Sequence, residues 1–373
     1  MTTTSVRYTA PAGATALRLP ALASRALVGA ALAAVAVGAG FLSPDTAQDL
    51  TLAVIFALVG LSMNILVGYT GQLSLGQQGF LGLGALVGAN VVSTTGSTRA
   101  DPWQFAFALI AATVVTGLAA LLLGLVALRI QGLYLALLTL VFGSVIASSL
   151  FGLASLNGHD SGVAANRPDF LAGESAFYVF CLALLAVVLY LDRRMMAASV
   201  GRAFIALRDD ERAAQAFGIN VTGYKLLAFA LSGAIAGLAG GLFAFKAQRF
   251  SDKDFTSVAG FTYALTFVII VVVGGLADRV GAVAAGVFFA LLDPLLKALL
   301  DATVGDNTYI NYKLPIEGIV GSVLLLQTII FNPGGLGQAL RPIRGWLSGG
   351  PFTLHHGEAD GGLGPVGGVS TRA

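Results

Sequence analysis

Two stretches of this sequence concentrate polar chemistry. The first is GYTGQLSLGQQGF, residues 68–80, where glycines alternate with glutamines, a serine and a threonine. Amide and hydroxyl side chains donate and accept hydrogen bonds without carrying charge. Gln72, Ser74, Gln77 and Gln78 are therefore able to satisfy open backbone groups or to hold a polar solute. The second is GRAFIALRDDERAAQAF, residues 201–217, where Arg208, Asp209, Asp210, Glu211 and Arg212 set both signs of charge side by side. Neither stretch offers the parts of an enzyme. The chain has no HExxH, no metal-ligand cluster, no nucleophile beside a base and no GxxxxGK[ST] phosphate loop. Its one cysteine, Cys181, sits in an apolar run and reads as a packing residue, and no disulfide can form within the chain.

The elements that must position these stretches lie in a bilayer. The 373 residues are 56% hydrophobic and 11% charged, where a soluble domain carries about a quarter charged residues. A membrane helix needs roughly 20 apolar residues, and about ten segments meet that need. They fall near 26–42, 49–67, 74–92, 104–128, 132–151, 175–191, 225–245, 259–276, 280–300 and 316–331. The expected fold is an all-α polytopic membrane protein of about ten spanning or partly spanning helices. With both termini in the cytosol, 14 of the 21 basic residues fall inside and 12 of the 19 acids outside. The reverse orientation inverts that bias, so basic-residue placement favours N-in, C-in. Residues 1–25 are then a cytosolic tail, 26–338 the membrane domain, and 339–373 a cytosolic tail whose Gly, Ser, Thr and Pro content predicts disorder beyond 350. The run ALVGAALAAVAVGAGFL fits both a first membrane helix and a secretory leader. It is long for a leader and no small-x-small cleavage site follows. Either way the next segment starts outside. Residues 152–174 form the main external loop and 192–224 the main cytosolic one.

Irregular backbone at membrane depth survives only where protein buries it or where it lines a wet cavity. Residues 68–80 read as an inner turn leading into a polar first half of a helix, and transporters break helices in this way around a solute path. Asn64, Gln72, Ser74, Gln77, Tyr134 and Thr139 are the candidates for that path; taken one at a time, each reads more readily as a helix–helix hydrogen bond, and it is together that they point to a path. Gly233, Gly237 and Gly241, at four-residue spacing, read as a close helix-packing stripe. From Gly201 to Phe217 the cytosolic loop reads as a helix with Ala203, Ala206, Leu207, Ala213, Ala214 and Phe217 on one face, interrupted by Asp210 and stopped by Gly218 and Asn220. A helix lying on the membrane, a solvated loop and a docking element for a cytosolic protein all fit this pattern. Mixed charge and small apolar residues favour the protein partner over lipid.

No titratable relay runs through the segments to drive transport. Asp293, beside Pro294 and Lys297, lies near an outer end, and His159, His355 and His356 lie in loops or the tail. Energy therefore comes from elsewhere.

VGYTGQLSLGQQGFLGLGAL, LRIQGLYLALLTLVFG and GRAFIALRDDERAAQAFGINVTGYKLLAFALSGAIAGLAGGL, in this order, resemble the permease subunits of ABC importers of the branched-chain amino-acid type. NGHDSG at 157–162 and NPGGLG at 332–337 also resemble that subfamily, and the likeness covers roughly residues 45 to 338. The resemblance implies that Gly201, Ala206, Arg208, Asp209, Glu211, Ala213, Ala214 and Gly218 belong to the loop that docks on ATPase subunits. It also implies a second, related permease subunit sharing the path, two cytosolic ATPases, an extracytoplasmic solute-binding protein, and residence in a prokaryotic cytoplasmic membrane. On this reading the chain is no enzyme and holds no cofactor, because ATP and Mg belong to the ATPases; nucleic acid has no part in it. Two departures stand out: Gln77 replaces a frequent His, and GGLADRVGAV carries Gly281-Ala282 where Gly-Pro is usual. LSGG at 347–350 resembles the start of an ATPase signature but is followed by Pro351 and has no nucleotide fold around it. The expected function is import of branched-chain amino acids, with urea or short amides as the alternative cargo and a stand-alone secondary carrier as the alternative class.

Overall fold

A computed structural model describes residues 43–93, 100–128, 132–146, 162–250, 257–304 and 335–339, with a few single positions between them. All of these belong to one compact unit, Ala33–Ala339. Helix α1 (Pro44–Met63) continues into a π-helical turn, Asn64–Tyr69. There follow α2 (Gln77–Ser93), α3 (Pro102–Ala127), α4 (Leu133–Val145), β1 (Val163–Ala164), α5 (Glu174–Ala197), α6 (Ser199–Asp209), α7 (Glu211–Ala216), α8 (Val221–Ala247), β2 (Arg249–Phe250), α9 (Ser257–Gly274), α10 (Arg279–Val304) and α11 (Gly335–Ala339). The spans Pro44–Tyr69, Pro102–Ala127, Glu174–Ala197 and Val221–Ala247 are long and apolar enough to cross a membrane, with shorter apolar helices at Leu133–Val145, Ala264–Gly274 and Arg279–Leu292. Apart from single positions, the expected segments 26–42 and 316–331 and the two tails lie outside the described residues, as do residues 152–161 of the expected loop 152–174.

Local chemistry sets the helix ends. Ser43 Oγ accepts from Thr46 N at 3.1 Å and Pro44 occupies the first turn, so α1 starts five residues before its apolar run. Asp101 and Gln104 form a capping box ahead of α3. Asn220 Oδ1 accepts from Gly223 N at 3.0 Å and starts α8 four residues ahead of the expected segment.

Helix α8 is the hub, packing most extensively against α3 and α2. Its glycine stripe makes that approach possible. A Cβ on Gly237 would stand 2.6 Å from Ala112 O and 2.5 Å from Thr116 Cβ of α3; Gly233 faces Ala120 and Gly241 faces Leu109 of the same helix. Lipid supplies no hydrophobic drive between helices, so close van der Waals contact at small residues has to hold them together. On the other side α1, almost wholly buried, packs against α10, α5 and α8. Cys181 lies buried in the main apolar core with Phe177 and Leu185. At the outer end β1 pairs with β2, and buried Arg167 donates to Phe245 O (2.7 Å) and Lys246 O (2.9 Å) while pairing with Glu174 at 3.0 Å. That clasp fastens the outer loop to the C-terminal end of α8, where the helix dipole favours a cation.

The charged stretch 201–217 forms two helices, α6 and α7, rather than the single helix its periodicity predicts. The break is Asp210, with φ −158° and ψ 113°. Its carboxylate accepts from the backbone N–H of Arg212 (2.7 Å) and of Ala213 (3.2 Å), capping the second helix. Thus the residue expected to interrupt one face interrupts the helix itself. Gly218, at φ +78°, ends α7 in the left-handed conformation.

Candidate functional site

The polar residues of the opening stretch gather into one buried layer between α1, α2, α4 and α8. Gln77 Nε2 donates to Ser232 Oγ at 2.7 Å, and Ser62 Oγ donates to Ser232 O at 2.8 Å while lying 3.4 Å from Gln77 Oε1. Thr139 Oγ1 accepts from Leu75 N at 2.8 Å, so α4 satisfies a donor of the irregular stretch 71–76. Ser74 Oγ accepts from Gly76 N at 3.4 Å. Gln72, Ser74, Gln77, Gln78 and Thr139 are all buried. Tyr134 does not join them. It is 76% exposed on the face of α4 that also presents Leu133, Leu137 and Val141, away from the bundle. Asn64 is also apart. Its Oδ1 accepts from Ala277 N at 3.0 Å, in the turn between α9 and α10. Ser62 and Ser232, absent from the sequence-based set, complete the layer; the signal for them was a serine within an apolar helix.

The charged loop 199–218 is built onto one end of this layer. Arg208 Nη1 donates to Gly68 O at 2.8 Å, at the end of the π turn. Glu211 pairs with buried Lys225 at the start of α8. Leu207, Ala214 and Val221 form a small apolar core that holds α6 and α7 against α8. Gly201 is buried where a side chain would strike the backbone of Met196, which fixes the corner between α5 and α6. A cleft of about 580 Å³ opens between the loop and the bundle, bordered by Gln72, Leu135, Arg208, Arg212 and Lys225.

The expected docking residues therefore divide. Ala214 and Gly201 are buried within the chain, Ala206 is half-buried, and Arg208 and Glu211 are tied to Gly68 and Lys225. Asp209, Ala213 and Gly218 are exposed, together with Arg212. The loop's most exposed large apolar residue is Phe217, at 87%, with Ile205 at 48%. Sequence periodicity assigned Phe217 to an apolar face; Ala203, Leu207 and Ala214 of that face are buried within the chain, whereas Phe217 is left exposed.

A second feature escaped the sequence reading. Segment 175–191 was expected to end before Asp192, but α5 continues to Ala197 and carries Asp192 into a buried site. There Asp192 Oδ2 lies 2.8 Å from Arg279 Nε of α10 and accepts from Tyr69 OH at 3.1 Å. A buried carboxylate persists only when paired and hydrogen-bonded, and these two groups pair it. Among the described residues no group of three or more His, Cys, Asp or Glu is placed to hold a metal ion.

A bundle of apolar helices, joined by glycine contacts and crossed by one buried uncharged polar layer, defines a polytopic helical membrane protein. The family model for the branched-chain amino acid transport system permease component matches residues 46–329, and the chain belongs to that family. It is 30% identical over 341 residues to the high-affinity branched-chain amino acid transport system permease protein LivM of Salmonella typhimurium, covering 84% of this chain and 75% of that protein. It is likewise 30% identical over 328 residues to LivM of Escherichia coli, covering 80% and 72% of the two chains. A probable branched-chain amino acid transport permease protein LivH of Methanocaldococcus jannaschii is 26% identical over 222 residues, covering 59% of this chain and 62% of that protein. No solved structure matches the chain.

Proposed function

We propose that this permease component is one of two related membrane subunits of an ATP-driven importer, and that the imported solute is a branched-chain amino acid. The observation that carries the reading is the cytosolic loop 199–218, a two-helix unit held to the membrane span by Arg208–Gly68 and Glu211–Lys225 while presenting an unburied Phe217. Single exposed apolar residues are common on protein surfaces, but an aromatic ring presented by a folded, charged loop is the kind of anchor that protein interfaces enrich. We take the partner on that side to be an ATPase because the loop's motif resembles the ATPase-docking loop of ABC permeases, and this sequence contains no phosphate loop that could supply the hydrolysis. ATP and Mg are bound by two such ATPases, and an extracytoplasmic solute-binding protein meets the outer loops. The machine sits in a prokaryotic cytoplasmic membrane.

Asp209, Ala213 and Gly218, with Phe217, make the ATPase contact; Gly201, Ala206, Arg208, Glu211 and Ala214 shape and hold the loop that makes it. The polar layer of Gln72, Ser74, Gln77 and Thr139 borders the solute path, and Tyr134 faces the second permease across it. Proteoliposomes containing this chain, its second permease, its ATPases and its binding protein test the reading. Uptake of radiolabelled leucine, isoleucine and valine that requires ATP supports it. ATP-driven uptake of urea or acetamide in their place would change the cargo and keep the machine.

A further inference from the structure

The π-helical turn Asn64–Tyr69 is tied to three separate elements. Toward the cytosolic loop, Gly68 O accepts from Arg208 at 2.8 Å. Toward the turn between α9 and α10, Asn64 Oδ1 accepts from Ala277 N at 3.0 Å. Toward the inner ends of α5 and α10, Tyr69 OH donates to Asp192, which pairs with Arg279. The packing leaves no room for a side chain at Gly68, where a Cβ would stand 2.7 Å from Ala277 N.

The same turn gathers unfavourable features. Six residues in π register are rare and concentrate at functional positions. Ala277, not a glycine, is held at φ +65°. Asn64 Nδ2, at the first residue of the turn, and Gln72 Nε2, three residues past its end, are buried donors without a partner among the described residues. Unpaired buried donors cost free energy that a different backbone register can recover. Above the turn, by contrast, α1 is regular, capped and packed. Reverting the turn to α register rotates every group beyond the shift by about 100° around the axis, because successive helix residues are that far apart. Gly68 O and Asn64 Oδ1 would then no longer both meet Arg208 and Ala277. The turn thus has a discrete alternative that releases its ties together.

We propose that the turn Asn64–Tyr69 is the joint through which the cytosolic loop moves the membrane helices. The loop, the π turn and the α9–α10 turn travel as one inner block, and α1 above Met63 stays with the outer bundle. This rests on the importer reading, and Asn64 acts in it as a positioning residue.

The test uses the assembled importer with its ATPases, second permease and binding protein. In Asn64→Ala and Asn64→Leu the ATPases still co-purify, while solute imported per ATP hydrolysed falls by roughly 10- to 100-fold, the usual span of an allosteric coupling. A wild-type ratio in both variants overturns the joint. Spin labels in an otherwise native chain at Arg202→Cys, Leu276→Cys and Trp103→Cys, all exposed and none of them in the ATPase contact, give a second reading. Trapping with ATP leaves the 202–276 separation fixed and changes both distances to 103. A changed 202–276 separation with 276–103 constant overturns the proposal. A wild-type chain that recovers no ATPase overturns the importer reading and the joint with it, whereas intact coupling in the variants overturns the joint alone.

Discussion

Arg208 and Gly68, 140 residues apart in sequence, are joined by a guanidinium–carbonyl hydrogen bond of 2.8 Å. The arginine belongs to the charged loop 199–218 and the carbonyl to the C-terminal end of the most buried candidate membrane span. A charge that sequence alone offers to a partner protein is thus already engaged within the chain. Of the residues expected to dock, Asp209, Ala213 and Gly218 remain exposed, and Phe217 is the loop's most exposed large apolar side chain.

Phe217 makes the sharpest distinction between holding the loop and docking on it. At 87% exposure it contributes little to the fold, so Phe217→Asp changes thermal stability by no more than about 0.5 kcal/mol. Partner affinity drops by about 2 kcal/mol, the scale of an aromatic hot spot. Co-purification of ATPases from the variant, set beside its melting curve, checks both halves. Full ATPase recovery would remove Phe217 from the interface.

Glu211 and Lys225 form a pair with unequal exposure, 33% and 8% for the side chains. Glu211→Gln leaves a largely buried ammonium without its counter-charge; partial solvent access to the glutamate limits the loss to about 1 kcal/mol. The swapped pair Glu211→Lys with Lys225→Glu regains part of it. Melting temperatures of the single and double variants measure the recovery, and an additive loss would show that the pair is not coupled.

Gly237 faces the backbone of α3 at a distance that excludes any side chain. Gly237→Ala forces the α3–α8 contact apart at a cost of about 1–3 kcal/mol. The detergent-solubilised variant melts lower and, if α3 shifts far enough, aggregates. A wild-type melting curve would mean that the two helices do not touch there.

Asp192 and Arg279 respond differently to single and double replacement. Asp192→Leu leaves Arg279 without its carboxylate and Tyr69 without its acceptor, and because Arg279 keeps 31% of its side-chain surface the expected loss is about 2 kcal/mol. Asp192→Leu with Arg279→Met removes both charges and recovers most of it. Chemical denaturation of the three variants separates a coupled pair from two independent surface charges.

The helical, membrane-spanning character was legible because apolar length is what a bilayer demands of a span, and four of the described helices meet that length against the ten or so segments expected. Their ends were less so, for identifiable reasons. Ser43 and Asn220 extend α1 and α8 through caps that hydropathy does not register. The run Asp192-Arg193-Arg194 looks like the start of a loop, yet α5 continues through it because Arg279, far away in sequence, neutralises Asp192. The glycine and glutamine stretch announced irregular backbone at the inner face, and that is where residues 71–76 leave helical geometry. The π register just before it was not legible, since the bonds from Arg208 and Ala277 come from 140 and 213 residues away. Asp210 was noticed as an interruption, but its capping role shows only when its carboxylate is seen on the N–H groups of Arg212 and Ala213.

The measurement that tests the central claim most directly is mild extraction of this chain from its native membrane, identification of what accompanies it by mass spectrometry, and transport assay of the extract in liposomes. The account predicts recovery of phosphate-loop ATPases and a second, related permease, with solute uptake that stops when ATP is withheld. Recovery of this chain alone, still moving solute without ATP, would contradict it and make the protein a stand-alone carrier.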